Sequence, residues 1–272
     1  MVFEVTQSLT ITTHGFQTSI KTKFDVEFLV LEKSGERRIY GIRKAKVATI
    51  PISDNNYMQI AEELEWQTYP IEIETDLDGN FIKMLNHKKW LKNLEQVTQS
   101  VIEEFDNSEN VKEIRNKYLQ TAKNEENFIQ SKFKEPYWNL LFFNPPIDHE
   151  GNPDLGTKLN WDIKSIGNIE CAGRTKIKNP TSRDIIINFE SQQILPQDVI
   201  DQMESNIKLL NINWESQKVN LEIAATFDTM ENRMKSKKAL FELQILGGFS
   251  YVEETTIIFR KKEVVPVNTV TD

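Results

Sequence analysis

Apolar and polar residues alternate strictly over residues 3–13, with Phe3, Val5, Leu9 and Ile11 on one side and Glu4, Thr6, Ser8 and Thr10 on the other. A period of two marks a half-buried strand. After a turn at His14-Gly15 the alternation resumes over 16–32. Ile20, Phe24, Val26, Phe28 and Val30 face inward there, and Lys21, Lys23, Asp25 and Glu27 face outward. Lys33-Ser34-Gly35-Glu36 turns the chain again into a third strand, from about Arg37 to Ile50, with a bulge expected at Gly41. The first third therefore reads as an antiparallel meander.

Pro51 closes that sheet segment, and Ser53-Asp54-Asn55 caps a short helix carrying Tyr57, Ile60, Ala61 and Leu64. Residues 69–83 then read as strand, tight turn and strand. Asp76 and Asp78 beside Gly79 do not make a calcium loop. An EF-hand needs glycine at its sixth position and glutamate at its twelfth.

From His87 the period changes to 3.6. Trp90, Leu91, Leu94, Val97, Val101, Ile102 and Phe105 form one helical stripe, opposite Lys92, Glu95, Gln99 and Glu103. Asp106-Asn107-Ser108 interrupts it. Val111, Ile114, Tyr118, Leu119 and Ala122 continue on a second segment, and Asn124-Glu125-Glu126-Asn127 bends or breaks that one before Phe128, Ile129 and Phe133. A helical layer over about 87–134 follows, ended by Pro136. The next residues, Tyr137, Trp138, Phe142 and Phe143, make an aromatic clamp. Read as a strand, the clamp puts Tyr137 and Phe143 on one face and Trp138 and Phe142 on the other. These four are the candidate binding residues, since one face of a short strand cannot bury them all.

Residues 144–154 hold the one Pro- and Gly-rich passage, so the chain divides there. The expected units are 1–143 and 155–262, as two domains or one continuous one, with a tail over 263–272. In the second unit strands are expected near 159–166, 168–178, 184–192, 217–228, 234–246 and 249–262. A helix opens at Pro196 with Val199, Ile200, Met203, Ile207 and Leu210 on its buried side. Gly247-Gly248 turns the chain between the last two strands. Val252 and Ile258, opposite Tyr251, Thr255, Ile257 and Phe259, predict that the final strand is covered on both faces. Ile71-Glu72-Ile73 and Leu221-Glu222-Ile223, each leading to an Asp/Asn turn, suggest a diverged duplication. The fold class is α+β: long, mostly antiparallel strands in one or more curved sheets with a helical layer.

Charge then narrows the partners. The 272 residues carry a net charge of -8 and an isoelectric point near 5.2, which opposes binding to phosphate backbones or anionic membranes. The basic run Lys235-Ser236-Lys237-Lys238 reads as a solvated hairpin tip. The single cysteine, Cys171, excludes an internal disulfide and reads as a small buried hydrophobe. The start of the chain shows neither a signal peptide nor a membrane span, so the expected location is cytoplasmic; the alternative is a secreted form trimmed of its signal.

Candidate chemistry is sparse. Asp148, His149 and Glu150 are adjacent and diverge, so no metal site is expected, and no cofactor either. The pairs Glu62-Glu63, Glu103-Glu104 and Glu125-Glu126 are helix neighbours about 100° apart. Neither a nucleophile elbow nor a phosphate loop occurs. The expected function is non-catalytic protein binding, as by a chaperone or adaptor for a secreted effector or by an immunity protein. A carrier of a lipid or other hydrophobic ligand and a structural subunit of a larger assembly are the alternatives. Long antiparallel strands wrapped around helices resemble the half-open barrels of bacterial lipoprotein carriers, and that resemblance implies the hydrophobic-ligand reading. It transfers no residue, and the chain lacks the signal peptide and lipobox cysteine that such a cellular role calls for.

Overall fold

The alternating segments do form strands, and they all join one sheet. A computed structural model of the chain describes residues 1–33, 35–45, 60, 63–77, 81–104, 109–143, 156–163, 167–178, 183–201, 217–231, 233–245 and 248–260. In chain order these hold β1 (Val2–Thr13), β2 (Phe16–Lys33), β3 (Arg37–Ala45), β4 (Ile71–Asp76) and β5 (Phe81–Met84). Four helices follow: α1 (His87–Glu104), α2 (Glu109–Lys123), α3 (Glu125–Phe133) and α4 (Pro136–Phe142). Then come β6 (Gly156–Ile163), β7 (Gly167–Lys178), β8 (Asp184–Gln193), β9 (Gln217–Asp228), β10 (Arg233–Ile245) and β11 (Phe249–Arg260).

Among the described residues, eleven strands form a single curved, open antiparallel sheet in the order β5-β4-β3-β2-β1-β11-β10-β9-β8-β7-β6. Each half is a meander, and the first and last strands join the halves along their whole length, Val2 opposite Arg260 through Thr13 opposite Phe249. One face is apolar: Phe3 and Val5 on β1, Phe24, Val26 and Phe28 on β2, and Phe241 and Leu243 on β10 are all buried. The other is laced with cross-strand ion pairs such as Lys176–Glu190 at 2.8 Å and Lys238–Glu254 at 3.2 Å. The helices lie on the apolar face.

The turns follow their residues. His14 (φ 49°) and Gly15 (φ 84°) are both left-handed, as a two-residue hairpin of this twist requires. The bulge expected at Gly41 lies across from it, between Val30 and Glu32 of β2. A Cβ on Gly41 would stand 3.3 Å from the Leu31 side chain, so the glycine makes room for the bulged residue. At the β9–β10 turn, Asp228 accepts N–H bonds from Met230 (3.0 Å) and Glu231 (3.1 Å), and Arg183 pairs with it at 2.8 Å.

Several expectations need correction. Pro136 does not end the helical layer; it stands in the first turn of α4, so Tyr137–Phe142 are helical and the strand alternation does not apply. Glu135 ahead of it is extended (φ -80°, ψ 124°), as the proline ring demands. A short apolar run does not by itself distinguish strand from helix. β11 is not covered on both faces: Ile258 is 46% exposed and Val252 half-buried. Nor is 235–238 a hairpin tip. It lies within β10, and the pleat that buries Ala239 and Phe241 buries Lys237 with them. The expectations for Ser53-Asp54-Asn55, Asp78-Gly79-Asn80, Asp106-Asn107-Ser108, Asp148-His149-Glu150, Gly247, the helix beyond 201 and the tail fall outside the described residues.

Candidate functional site: the apolar face and its three inward lysines

α4 lies across the middle of the apolar face. Tyr137 meets Phe24 edge-on at 5.1 Å, Phe142 packs against Phe28 (5.7 Å) and Tyr40 (5.8 Å), and Phe143 reaches Phe189 on β8 at 6.4 Å. The structure thus gathers the whole clamp, but inside the chain. Trp138 is fully buried, Tyr137 and Phe143 are buried, and Phe142 is partly buried against them.

Three lysines stand at register positions that otherwise hold apolar residues. Lys44 follows Tyr40 and Ile42 on the inner side of β3, Lys132 follows Phe128 and Ile129 on α3, and Lys237 precedes Ala239 and Phe241 on β10. Lys237 is 3% exposed and donates to the carbonyls of Leu141 (2.9 Å) and Phe143 (2.8 Å). It satisfies carbonyls at the end of α4 that have no partner within the helix. Burial pushes its ammonium down to about 7.

Lys132 anchors a second cluster. It contacts the Glu65 carboxylate and lies 3.6 Å from Glu135. Burial opposes its charge, but Glu65, Tyr118 and Glu135 outweigh burial and hold the ammonium well above the usual lysine range. Burial likewise opposes the Glu65 carboxylate, and Lys132 and Lys44 prevail to lower its pKa. Beside them the Tyr69 and Tyr137 hydroxyls touch, and Trp138 Nε1 donates to Tyr137 (2.7 Å) and Tyr69 (3.1 Å). Burial raises the pKa of both phenols. The cluster ties residues 63–69, α3 and α4 together under the sheet. None of Lys44, Glu65, Lys132 or Lys237 was singled out from sequence as a site. The available signal was a lysine in a core-facing slot.

The remaining chemistry is scattered. Cys171 is buried, and burial pushes its thiol up to about 12. Among the described residues no three His, Cys, Asp or Glu side chains converge in a way that could hold a metal. No described helix is long and apolar enough to cross a membrane. An open hollow of about 640 Å³ lies between β5 and α3, lined by Ile82, His87, Lys123 and Glu126 among others. His87 is already bonded to the Ala122 carbonyl there (2.8 Å).

At the far end of β1 and β2 the apolar register continues with less cover. Leu9 faces Ile20 and Thr13 faces Phe16, yet Ile20 is 36% and Phe16 84% exposed.

The fold is thus an open curved α+β sheet with helices on its apolar side. No protein-family model matches the chain, and no curated protein matches it. Among solved structures it is similar to lipovitellin, in a study of lipid–protein interactions, with a TM-score of 0.42 and 7% identity. That similarity covers 96% of this chain and 25% of lipovitellin's, so the chain spans about a quarter of that protein's length.

Proposed function

We propose that this protein is a non-catalytic carrier that holds a lipid or similar hydrophobic ligand against the concave face of its half-open sheet. The observation behind this reading is the face that carries Leu9, Ile11, Ile20 and Phe16, with Thr13, Thr18 and Thr22 between them. It extends the core-facing register beyond the packed helices and ends in a phenyl ring that is 84% exposed. Apolar side chains left in water next to an apolar face extend that face into a surface on which a hydrophobic ligand can lie. Protein binding through the clamp is the weaker reading, because those rings already pack on one another and on the sheet.

The test is uptake of a hydrophobic fluorophore, N-phenyl-1-naphthylamine, together with organic extraction of protein purified from its native host. Saturable micromolar uptake is expected, weakened about tenfold by Phe16→Glu plus Ile20→Glu with the melting temperature unchanged. No saturable uptake and no extractable lipid from a folded protein would sink the reading.

A further inference from the structure

We propose that the aromatic cage built by β2, residues 63–69 and α4 is a binding site for an organic ammonium group of the choline or ethanolamine type, and that Lys44 of β3 fills it in the unliganded protein. Four aromatic rings surround the Lys44 Nζ: Phe24 at 4.4 Å, Trp66 at 4.9 Å, Tyr137 at 5.3 Å and Tyr69 at 5.9 Å from the ring centroids. A cation within about 6 Å of several ring faces is attracted by their quadrupoles, the means by which aromatic cages recognise quaternary ammonium ligands.

Phe24 and Tyr137 form a buried floor, while Trp66, Tyr69 and Lys44 itself are only half-buried. The cage therefore opens at its rim. The charges nearby balance: Lys132 pairs with both Glu65 and Glu135, and Glu65 acts on Lys44 as well. Exchanging the Lys44 ammonium for a ligand's leaves that balance intact. The lysine stem is long and flexible enough to carry its charge out to water. A quaternary ammonium also enters at lower cost, since it has no N–H groups that need acceptors once water is gone. For a primary ammonium there is an acceptor to spare, because Glu65 Oε1 is buried without a hydrogen-bond partner.

The ammonium source, free or a lipid headgroup, rests on the carrier reading, but the site does not. Calorimetric titration of the whole chain with choline and with ethanolamine at constant ionic strength needs no acyl chain. Saturable binding of either is expected, with no binding of the neutral isostere 3,3-dimethylbutan-1-ol. Trp66→Leu and Phe24→Leu, checked for an unchanged circular dichroism spectrum, should each weaken binding at least tenfold. Lys44→Met should strengthen it. Lysophosphatidylcholine below its micellar concentration binding more than tenfold tighter than choline would assign the headgroup to a lipid; equal affinities would assign a free amine. No binding to the wild type, or binding to Lys44→Met alone, would overturn the proposal and leave Lys44 as a permanent occupant. Choline binding without lipid uptake would sink only the carrier reading.

Discussion

At the scale of single residues, the most informative positions are those where chemistry departs from the local pattern. Trp138 is fully buried and uses its one N–H on two tyrosine hydroxyls. Trp138→Ala is expected to cost about 3–5 kcal/mol in urea unfolding, from lost contacts and the cavity left behind. Lys237 makes a pH prediction. The folded chain releases this proton near pH 7, the unfolded chain near 10.4. Between those values the unfolded state binds more protons, so stability rises with pH; the cost of the buried charge is fully present below pH 7 and is relieved above it. From pH 7 to 9 the wild type should gain about 2 kcal/mol relative to Lys237→Met. The lost carbonyl bonds are the same at both pH values, so a flat difference would refute this assignment. Nothing in the run Lys235–Lys238 distinguished Lys237 from its neighbours. Only the register that aligns it with Ala239 and Phe241, and α4 packed above, makes it a core residue.

At the scale of elements, residues 63–69, α3 and α4 are joined by one ion cluster, in which Lys132 is buried and Glu65 and Glu135 are partly so. Removing one partner of a buried pair leaves the other charge stranded, so Glu65→Gln is expected to cost about 3 kcal/mol. In a double-mutant cycle with Lys132→Met, the pair should cost about 1–3 kcal/mol less than the sum of the single changes. Additive costs would mean that Glu135 alone holds the lysine. The long elements were legible because periodicity sums over many residues: β1, β2 and the 87–134 helices fall where the pattern puts them. α4 was misread because its seven residues are apolar nearly all round, and such a run has no period to measure.

At the scale of the whole molecule, β1 lies between β2 and β11, so the two halves share one hydrogen-bond ladder. Fragment 1–143 would lose the β11 partner of β1, the Lys237 cap of α4 and the β8 ring packed on Phe143. It is expected to aggregate or to melt without a cooperative transition by circular dichroism. A sharp, reversible melt of that fragment would instead support two independently folding domains.

The sequence by itself determined the period of the long elements, the inward side of strands such as β1 and β2, the turn at His14-Gly15, and the α+β class. Those are local properties, set by backbone sterics and by which side chains leave water. Tertiary structure decided that β1 pairs with β11 along twelve residues, that α4 crosses the apolar face, and that Lys44, Lys132 and Lys237 meet aromatic rings, carboxylates and helix-end carbonyls. Those contacts join residues up to 258 positions apart, as Val2 and Arg260 are. No local pattern encodes them, because a lysine in an apolar stripe becomes favourable only when a distant partner arrives to satisfy its charge.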